Sequence, residues 1–422
     1  MTSTDVVPTV LAMRPATLVV LPYRLEAEDD DRLVVHALAS DQRLELSAGF
    51  RLFLDAFAAP CEVASFLSAH ADLAAAEELL AGLDTLLERG LLVDAAWRDR
   101  LKDLRLAQPA HAAFSFERVP ITALLSDRAA GDAVFFGVPV DIATTGAPGA
   151  RNGPAAVRWH TQQRSLGSGR YLDEADELVR RVEIKGAVDI GDLALKAGEG
   201  IDSVVPRIRT VAQLAARQGA LLCAVGGDHS ITWPLLGGLV AARRARGEAR
   251  PLCVVQLDAH SDLPRTPPSP FDAVHSHASF MRHVIDDGLV DLVVQIGLRS
   301  VVPTQAADQL AIEPRVVGAS RALRLERAAL LALVPADHDL YLTVDIDVVD
   351  PAFAPHTGTP QPGGLPSWRL LELCSTLVEE RRLVGIDVVE VAGPAAAENT
   401  TAALAAHLLQ HVLLRKFGVV ER

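Results

Sequence analysis

The sequence predicts an α/β protein: a doubly wound, mostly parallel sheet with helices on both faces, preceded by a small α+β module. Three observations carry this reading. From about Pro139 onward, short runs that are apolar at nearly every position alternate with longer amphipathic stretches. Clusters of Asp, His and Glu stand at the ends of four of these runs. The first 110 or so residues lack the alternation and read as a hairpin followed by short helices.

In the N-terminal stretch, "RLVVHALASDQRLELSAG" reads as the hairpin. "FRLFLDAFAAP", "CEVASFLSAH" and "DLAAAEELLAGLDTLLERG" read as three helices, closed by "LLV", with Pro60 and Gly90 as boundaries. The order resembles a small winged-helix module and is similar to the peptide-binding modules of ribosomal-peptide modification pathways. A packing or oligomerisation extension is the plainer alternative. The expected division is a module over 1–110, a linker over 111–130 around "RLAQPAHAAFSFERVP", and a main domain over 131–422.

In the main domain the runs are "AVFFGV", "ALLCAV", "LCVVQL", "LVVQIG", "LYLTVD" and "LVGIDV". Apolar side chains at successive positions point to both faces of a strand, which suits a parallel sheet covered on both sides. Ser203–Gln218, Ile231–Arg246, Ser367–Arg381 and Asn399–Arg415 read as the intervening helices. In such folds the ligand crevice lies beyond the carboxyl ends of the strands.

Composition narrows the partners. A net charge of −14 argues against nucleic acid or an anionic membrane surface, which attract clustered Lys and Arg. No apolar stretch reaches the roughly 20 residues of a bilayer span, and "MTSTDVVPTV" lacks the features of a signal peptide. Cys61, Cys223, Cys253 and Cys374 are far apart and form no CxxC pair, which fits free thiols and a cytoplasmic location and leaves no all-thiolate zinc site.

The strand ends hold the chemistry. "LLCAVGGDHS" ends in Asp228 and His229, "LCVVQLDAHSD" in Asp258, His260 and Asp262, "LYLTVDIDVVDP" in Asp345, Asp347 and Asp350, and "LVGIDVVEVAGP" carries Asp387 and Glu390. On an extended backbone residues two apart share a side, so Asp258, His260 and Asp262 would aim together if that form persists, as would Asp345 with Asp347. Four crowded carboxylates repel unless cations lie between them. With two imidazoles added, the set suits hard to borderline divalent ions, two rather than one. Taken singly, "GGDHS" also reads as a glycine turn with a helix cap, and "DID" as a solvated strand end.

With these motifs in place, the chain from about Val134 onward resembles the ureohydrolase family of arginase, agmatinase, guanidinobutyrase and formimidoylglutamase. "FGVPVDIATTGAPGARNGPAAVR", "GGDHS", "DAHSD", "IGLRS", "DIDVVDPAFAPHTGTPQPGG" and "GIDVVEV" follow in family order. The resemblance implies two Mn2+ ions per chain. His229 and Asp262 would bind one, His260 and Asp347 the other, and Asp258 and Asp345 would bridge both. It implies a hydroxide between the ions as nucleophile, Glu390 and Thr359 holding the guanidinium, and a proton-shuttle histidine. His277 in "HASFM" is the nearest match, although Ala278 replaces the usual Gly; His275 stands behind it. His283, His338 and His356 carry no role and are expected to be structural or at the surface. Family members form trimers or hexamers, which implies a homo-oligomer.

Pro264 stands where arginases place an Asn for the amino acid's carboxylate, which disfavours free arginine as substrate. The loop holds further prolines (Pro267, Pro268, Pro270), and its Arg265 would suit a carboxylate if it faced the site. The expected reaction is manganese-dependent hydrolysis of a guanidino group to an amine and urea, on agmatine or a guanidino acid. The alternative is a peptide arginase, making ornithine within a ribosomal peptide held by the N-terminal module. A single-metal deacetylase needs only one Asp–His–Asp set, and a non-catalytic binding protein would be expected to have lost ligands; both are disfavoured.

Overall fold

The computed structural model describes residues 16–38, 42–125, 131–173, 176–264, 275–300 and 310–421. Arg265, Pro267, Pro268 and Pro270 lie outside the described residues. The chain falls into two compact units. One is the chain up to Ala107 together with the segment beginning at Pro120; the other is Gln108–Val119 and everything from Gly131.

In the N-terminal unit, Arg32–Ala37 and Gln42–Ser47 form the expected antiparallel hairpin, with Val35 opposite Leu44. A third strand, Tyr23–Glu28, pairs on the other side of Arg32–Ala37. Its "YRLEAE" is mostly exposed, so it offered no apolar run to read. Helices Arg51–Ala56, Val63–Ala69 and Ala76–Glu88 follow. They bury Phe53, Phe66, Leu83 and Leu86 in one apolar cluster with Leu33 and Val35. Gly90, at φ +69°, ends the third helix in the left-handed conformation that glycine adopts without strain.

The second unit is a parallel sheet. Its strands are β1 (Ala133–Val138), β2 (Val188–Leu193), β3 (Leu221–Gly226), β4 (Leu252–Leu257), β5 (Leu292–Leu298), β6 (Arg315–Gly318), β7 (Asp339–Asp345) and β8 (Arg382–Val389). Their order is β6-β5-β4-β7-β8-β3-β1-β2, with every pairing parallel. All residues of β1, β3, β4 and β7 are buried, as their largely apolar character requires. The helices gather in two groups. Ile201–Ala215 packs on Thr232–Ala245, while Gly153–Thr161 and Ser367–Glu380 pack on Thr400–Phe417. Among the described residues, no helix is long and apolar enough to cross a membrane.

Two strands escaped the pattern for separate reasons. β6 is an edge strand with half its residues exposed. β2, "VDIGDL", is interrupted by Asp189 and Asp192, whose carboxylates receive the buried guanidinium of Arg158. The expected linker also needs correction. Phe114 and Phe116 are buried in the core of the second unit, Glu117–Arg118 pairs in parallel with β2, and the Ala113 N–H donates to Asp189 Oδ2 at 2.8 Å. Apolar side chains in "AAFSF" make this stretch part of the domain. His338 and His356 are both half-buried rather than freely exposed.

The Arg158 cluster predicts a measurable cost. Nε and Nη2 donate to Asp189 at 2.9 and 3.0 Å, and Nη1 to Asp192. Removing one partner of a buried pair leaves the other charge uncompensated. Arg158→Ala is therefore expected to destabilise the protein by about 3–5 kcal/mol, read from urea unfolding midpoints. A loss under about 1 kcal/mol, the scale of exposed pairs, would refute the buried role.

Candidate functional site

The four adjacent strands β4, β7, β8 and β3 deliver the polar clusters to one edge of the sheet. Three of the four clusters, those after β3, β4 and β7, are shaped by the same local device. Asp228 Oδ1 accepts the Ser230 N–H at 3.1 Å, Asp258 Oδ1 the His260 N–H at 2.6 Å, and Asp345 Oδ1 the Asp347 N–H at 2.8 Å. A carboxylate accepting the amide two residues on makes a tight turn out of the strand. Strand alternation therefore does not carry through these motifs, contrary to expectation. β4 ends at Leu257, Asp347 lies in a 3-10 turn, and Asp262 sits at φ +51°. The turns, not the pleat, aim the later ligands.

Two groups of side chains converge with metal-ligand spacing. His229, Asp258 and Asp345 form one; Asp258, His260 and Asp347 form the other. Asp258 belongs to both groups, whereas Asp345 enters only the first. His229 Nδ1 lies 3.1 Å from Asp258 Oδ2, 3.3 Å from Asp345 Oδ2 and 3.4 Å from Asp262 Oδ2. Despite these neighbours it makes no well-oriented hydrogen bond. A buried lone-pair donor facing three carboxylate oxygens without bonding to any is the arrangement a cation would complete, so the residues fit a metal. His260 Nδ1 stands 3.0 Å from Asp347 Oδ2 and 3.6 Å from Asp258 Oδ1.

The protonation balance follows from burial and from the crowded carboxylates. Burial opposes charging of His229, but Asp258 and Asp262 overcome it and raise the pKa to about 9. Burial likewise opposes His260, and Asp258 with Asp347 raises it to about 11. Burial and the neighbouring carboxylates push Asp262 and Asp345 well above the usual carboxylate range.

Behind the ligands runs a polar network that the sequence reading left without a role. His229 Nε2 is 2.8 Å from Thr343 Oγ1, which donates to Asp387 Oδ1 at 2.7 Å. Asp387 also accepts from Tyr341 Oη at 2.6 Å and from Thr232 Oγ1 at 3.2 Å. With Thr343 donating onward, its oxygen accepts the Nε2 proton and leaves Nδ1 free to ligate. Gln256 Nε2 donates to Asp258 Oδ2 at 2.7 Å, and Gln295 Nε2 to Gln256 Oε1 at 2.7 Å. Polar residues inside otherwise apolar strands ("LYLTVD", "LVVQIG") were the available signal.

Beside the metal groups lies a cavity of about 180 Å³, lined by Thr145, His260, Ser261, Asp262, Pro264, His277, Ala278, Asp345 and Thr359. Glu390 follows β8 at φ +60° and is 1% exposed. Its Oε1 accepts the His229 N–H at 3.0 Å and lies 2.9 Å from His277 Nδ1. His277 Nε2 accepts the Thr145 N–H at 2.9 Å, so the ring proton sits on Nδ1, toward Glu390. Burial lowers the His277 pKa, but Glu390 and Asp228 raise it on balance. Thr359 Oγ1 donates to Asp347 Oδ2 at 3.2 Å. His275 is elsewhere, with Nδ1 3.0 Å from Asp202 Oδ1 and its ring against Trp233 and His283.

A sequence model of the arginase family matches residues 131–415. Agmatinase of Serratia proteamaculans is 33% identical over 299 residues, covering 70% of this chain and 90% of its own. Guanidinopropionase of Pseudomonas aeruginosa is 34% identical over 307 residues, covering 71% and 90%. Among solved structures, proclavaminate amidino hydrolase of Streptomyces clavuligerus superposes with a TM-score of 0.58 at 30% identity, covering 74% of this chain and 98% of its own.

Two outcomes are expected for metal binding. Ligation needs neutral imidazoles and ionised carboxylates, whereas His229, His260, Asp262 and Asp345 all hold their protons to raised pH without metal. Metal uptake by chelator-treated protein should thus release protons at pH 7 and tighten as pH rises toward 9. A metal titration in weakly buffered indicator dye measures this; uptake without acidification would contradict it. Asp387→Asn, which removes the charge behind Thr343, should weaken metal binding by about 10- to 100-fold, the usual effect of an outer partner. Equilibrium dialysis would reveal an unchanged affinity.

Proposed function

The chain belongs to the arginase family, and from that premise we propose that it hydrolyses the guanidino group of a small substrate to an amine and urea, with two manganese ions. The substrate class is that of agmatinases and guanidino-acid ureohydrolases. One observation carries the reading: two ligand groups sharing Asp258 stand directly beside a cavity walled by Thr359, His277 and the ligand residues. Carboxylates with imidazole and no thiolate suit manganese. When bound, such cations supply a solvent molecule that loses its proton near neutral pH.

The chain's own residues do the rest. Glu390 Oε1 is committed to the His229 N–H and His277, while Oε2 accepts no hydrogen bond among the described residues. Oε2 is the oxygen for a guanidinium, through charge-assisted bonds that hold the planar group in one orientation. Thr359, whose hydroxyl donates to Asp347 Oδ2, lines the cavity where that group would sit. His277, at the cavity wall, would take the proton that the attacking water loses and pass it to the departing amine; against the effect of burial, Glu390 and Asp228 raise its pKa and favour the protonated ring between the two transfers. Net, one guanidinium and one water become one ammonium and one urea. A single-metal deacetylase would have no use for the second group around His260 and Asp347.

Pro264 lines the cavity where arginases place an Asn, which supports a substrate other than free arginine. A second reading concerns the N-terminal unit. Gln42–Ser47 is an edge strand of its sheet, a feature that can accept an extended peptide by strand addition. On that reading the substrate is an arginine side chain within a ribosomal peptide.

A urea-release assay with manganese, across agmatine, guanidinobutyrate, other guanidino acids, arginine and arginyl peptides, tests both. Turnover of a small guanidino compound is expected; no urea from any substrate would overturn the proposal. Deleting residues 1–107 should leave small-molecule turnover intact, and abolish peptide turnover if the second reading holds. Glu390→Gln should lower kcat/KM about 10- to 100-fold, matching the roughly 1.5–3 kcal/mol of a hydrogen bond to a charged group.

A further inference from the structure

Arg299 follows β5 in "IGLRS", a stretch the site described above leaves without a task. Its guanidinium is half-buried and has no carboxylate partner among the described residues. Every hydrogen bond it makes goes to a main-chain carbonyl. Nη2 donates to Asp347 O and to Gln361 O, both at 2.6 Å. Nε donates to Pro362 O at 3.1 Å and Gln361 O at 3.2 Å. Nη1 donates to Gly297 O and Val348 O, both at 3.3 Å. Its backbone N–H donates to Ala259 O at 3.0 Å, and the Ala259 N–H in turn donates to Asp347 Oδ1 at 3.1 Å.

These contacts join three segments: the turn after β4 that carries Asp258 and His260, the turn that carries Asp347, and the loop just past Thr359. None reaches His229, which follows β3. The loop has accommodated the side chain closely, since a Cβ at Gly364 would lie 2.8 Å from Arg299 Nη2 and 2.5 Å from the Asp350 nitrogen. Asp350 straps the same loop by accepting the Gly363 and Gly364 N–H groups at 2.7 and 3.1 Å.

We propose that Arg299 is a positioning residue: its planar fork locks the Asp347 turn and the Thr359 loop into one register, so that one ligand group and the substrate wall form a single rigid part. The inference rests on the reading of this site as a two-metal guanidino hydrolase. A guanidinium presents five donors in a fixed plane, whereas an ammonium offers three at a point. Lysine at 299 would keep the main-chain bond to Ala259 but could not reach the carbonyls of the Asp347 turn and of the loop past Thr359 at once.

The test uses the full chain as wild type, Arg299→Gln, Arg299→Lys and Thr359→Ala, with manganese alone as the metal probe. Bound metal per chain is measured at defined free manganese, and the paired-ion signature by electron paramagnetic resonance. Amide hydrogen exchange is followed in the metal-free proteins. Arg299→Gln should keep one tight ion, bind the second at least 10-fold more weakly and lose the paired signature, with KM raised and kcat lowered. Residues 345–350 and 358–365 should exchange faster together, while 226–232 stay unchanged. Thr359→Ala should raise KM and retain both ions. Arg299→Lys should fall between wild type and Arg299→Gln, and serves alone if the glutamine variant does not fold. Unchanged affinity for the second ion, or faster exchange in neither or only one segment, would overturn the proposal. If the wild type binds no metal pair, the functional reading fails instead, and the exchange result by itself decides the clamp.

Discussion

The site depends on the confinement of buried negative charge. Asp258, Asp262, Asp345 and Asp347 are each less than a tenth exposed, at the ends of two adjacent strands. At an effective dielectric near 20, two like charges about 4 Å apart repel by about 4 kcal/mol, and several such pairs meet here. Burial and this crowding together raise the pKa values of Asp262 and Asp345, and against burial the carboxylates raise those of His229 and His260. Divalent cations at the two groups would offset the repulsion with fixed positive charge. The fold maintains this costly arrangement around a cavity, which is where such a cost yields chemistry rather than strain.

What permits the crowding is the rigidity of its surroundings. β3, β4 and β7 are buried along their full length, so their ends cannot retreat from one another. Phe280 stacks on the His229 ring at 4.0 Å, and Thr343, Asp387 and Tyr341 hold its far nitrogen. Gln256 and Gln295 support the other side. Each outer residue satisfies a polar group that would otherwise be stranded in an apolar sheet. The polar interruptions in those strands are therefore the supports of the site.

The Glu390–His277 pair joins this charge cluster to the cavity. One carboxylate oxygen binds both the backbone of a metal-ligand residue and the ring of the candidate shuttle. A guanidinium arriving at the other oxygen would feel both. On the proposed reading, substrate binding, metal geometry and proton position would be linked through this one carboxylate.

The residue pattern alone determined much of this. Runs apolar at nearly every position marked six strands, and the acidic and histidine residues at their ends marked the groups that converge with metal-ligand spacing, because burial on both faces and such a cluster each demand particular side chains. It did not reveal β2, β6 or Tyr23–Glu28, where buried ion pairing or edge exposure replaces apolar character. Nor did it reveal that "AAFSF" belongs to the main domain, since a short apolar stretch acquires a partner only in three dimensions. Tertiary structure alone decided how Asp262 and Asp347 turn back toward the cluster, what Asp387 and Arg299 support, and that His277 rather than His275 faces Glu390. Those outcomes depend on distances between segments far apart in the chain, and the order of residues carries no record of such distances.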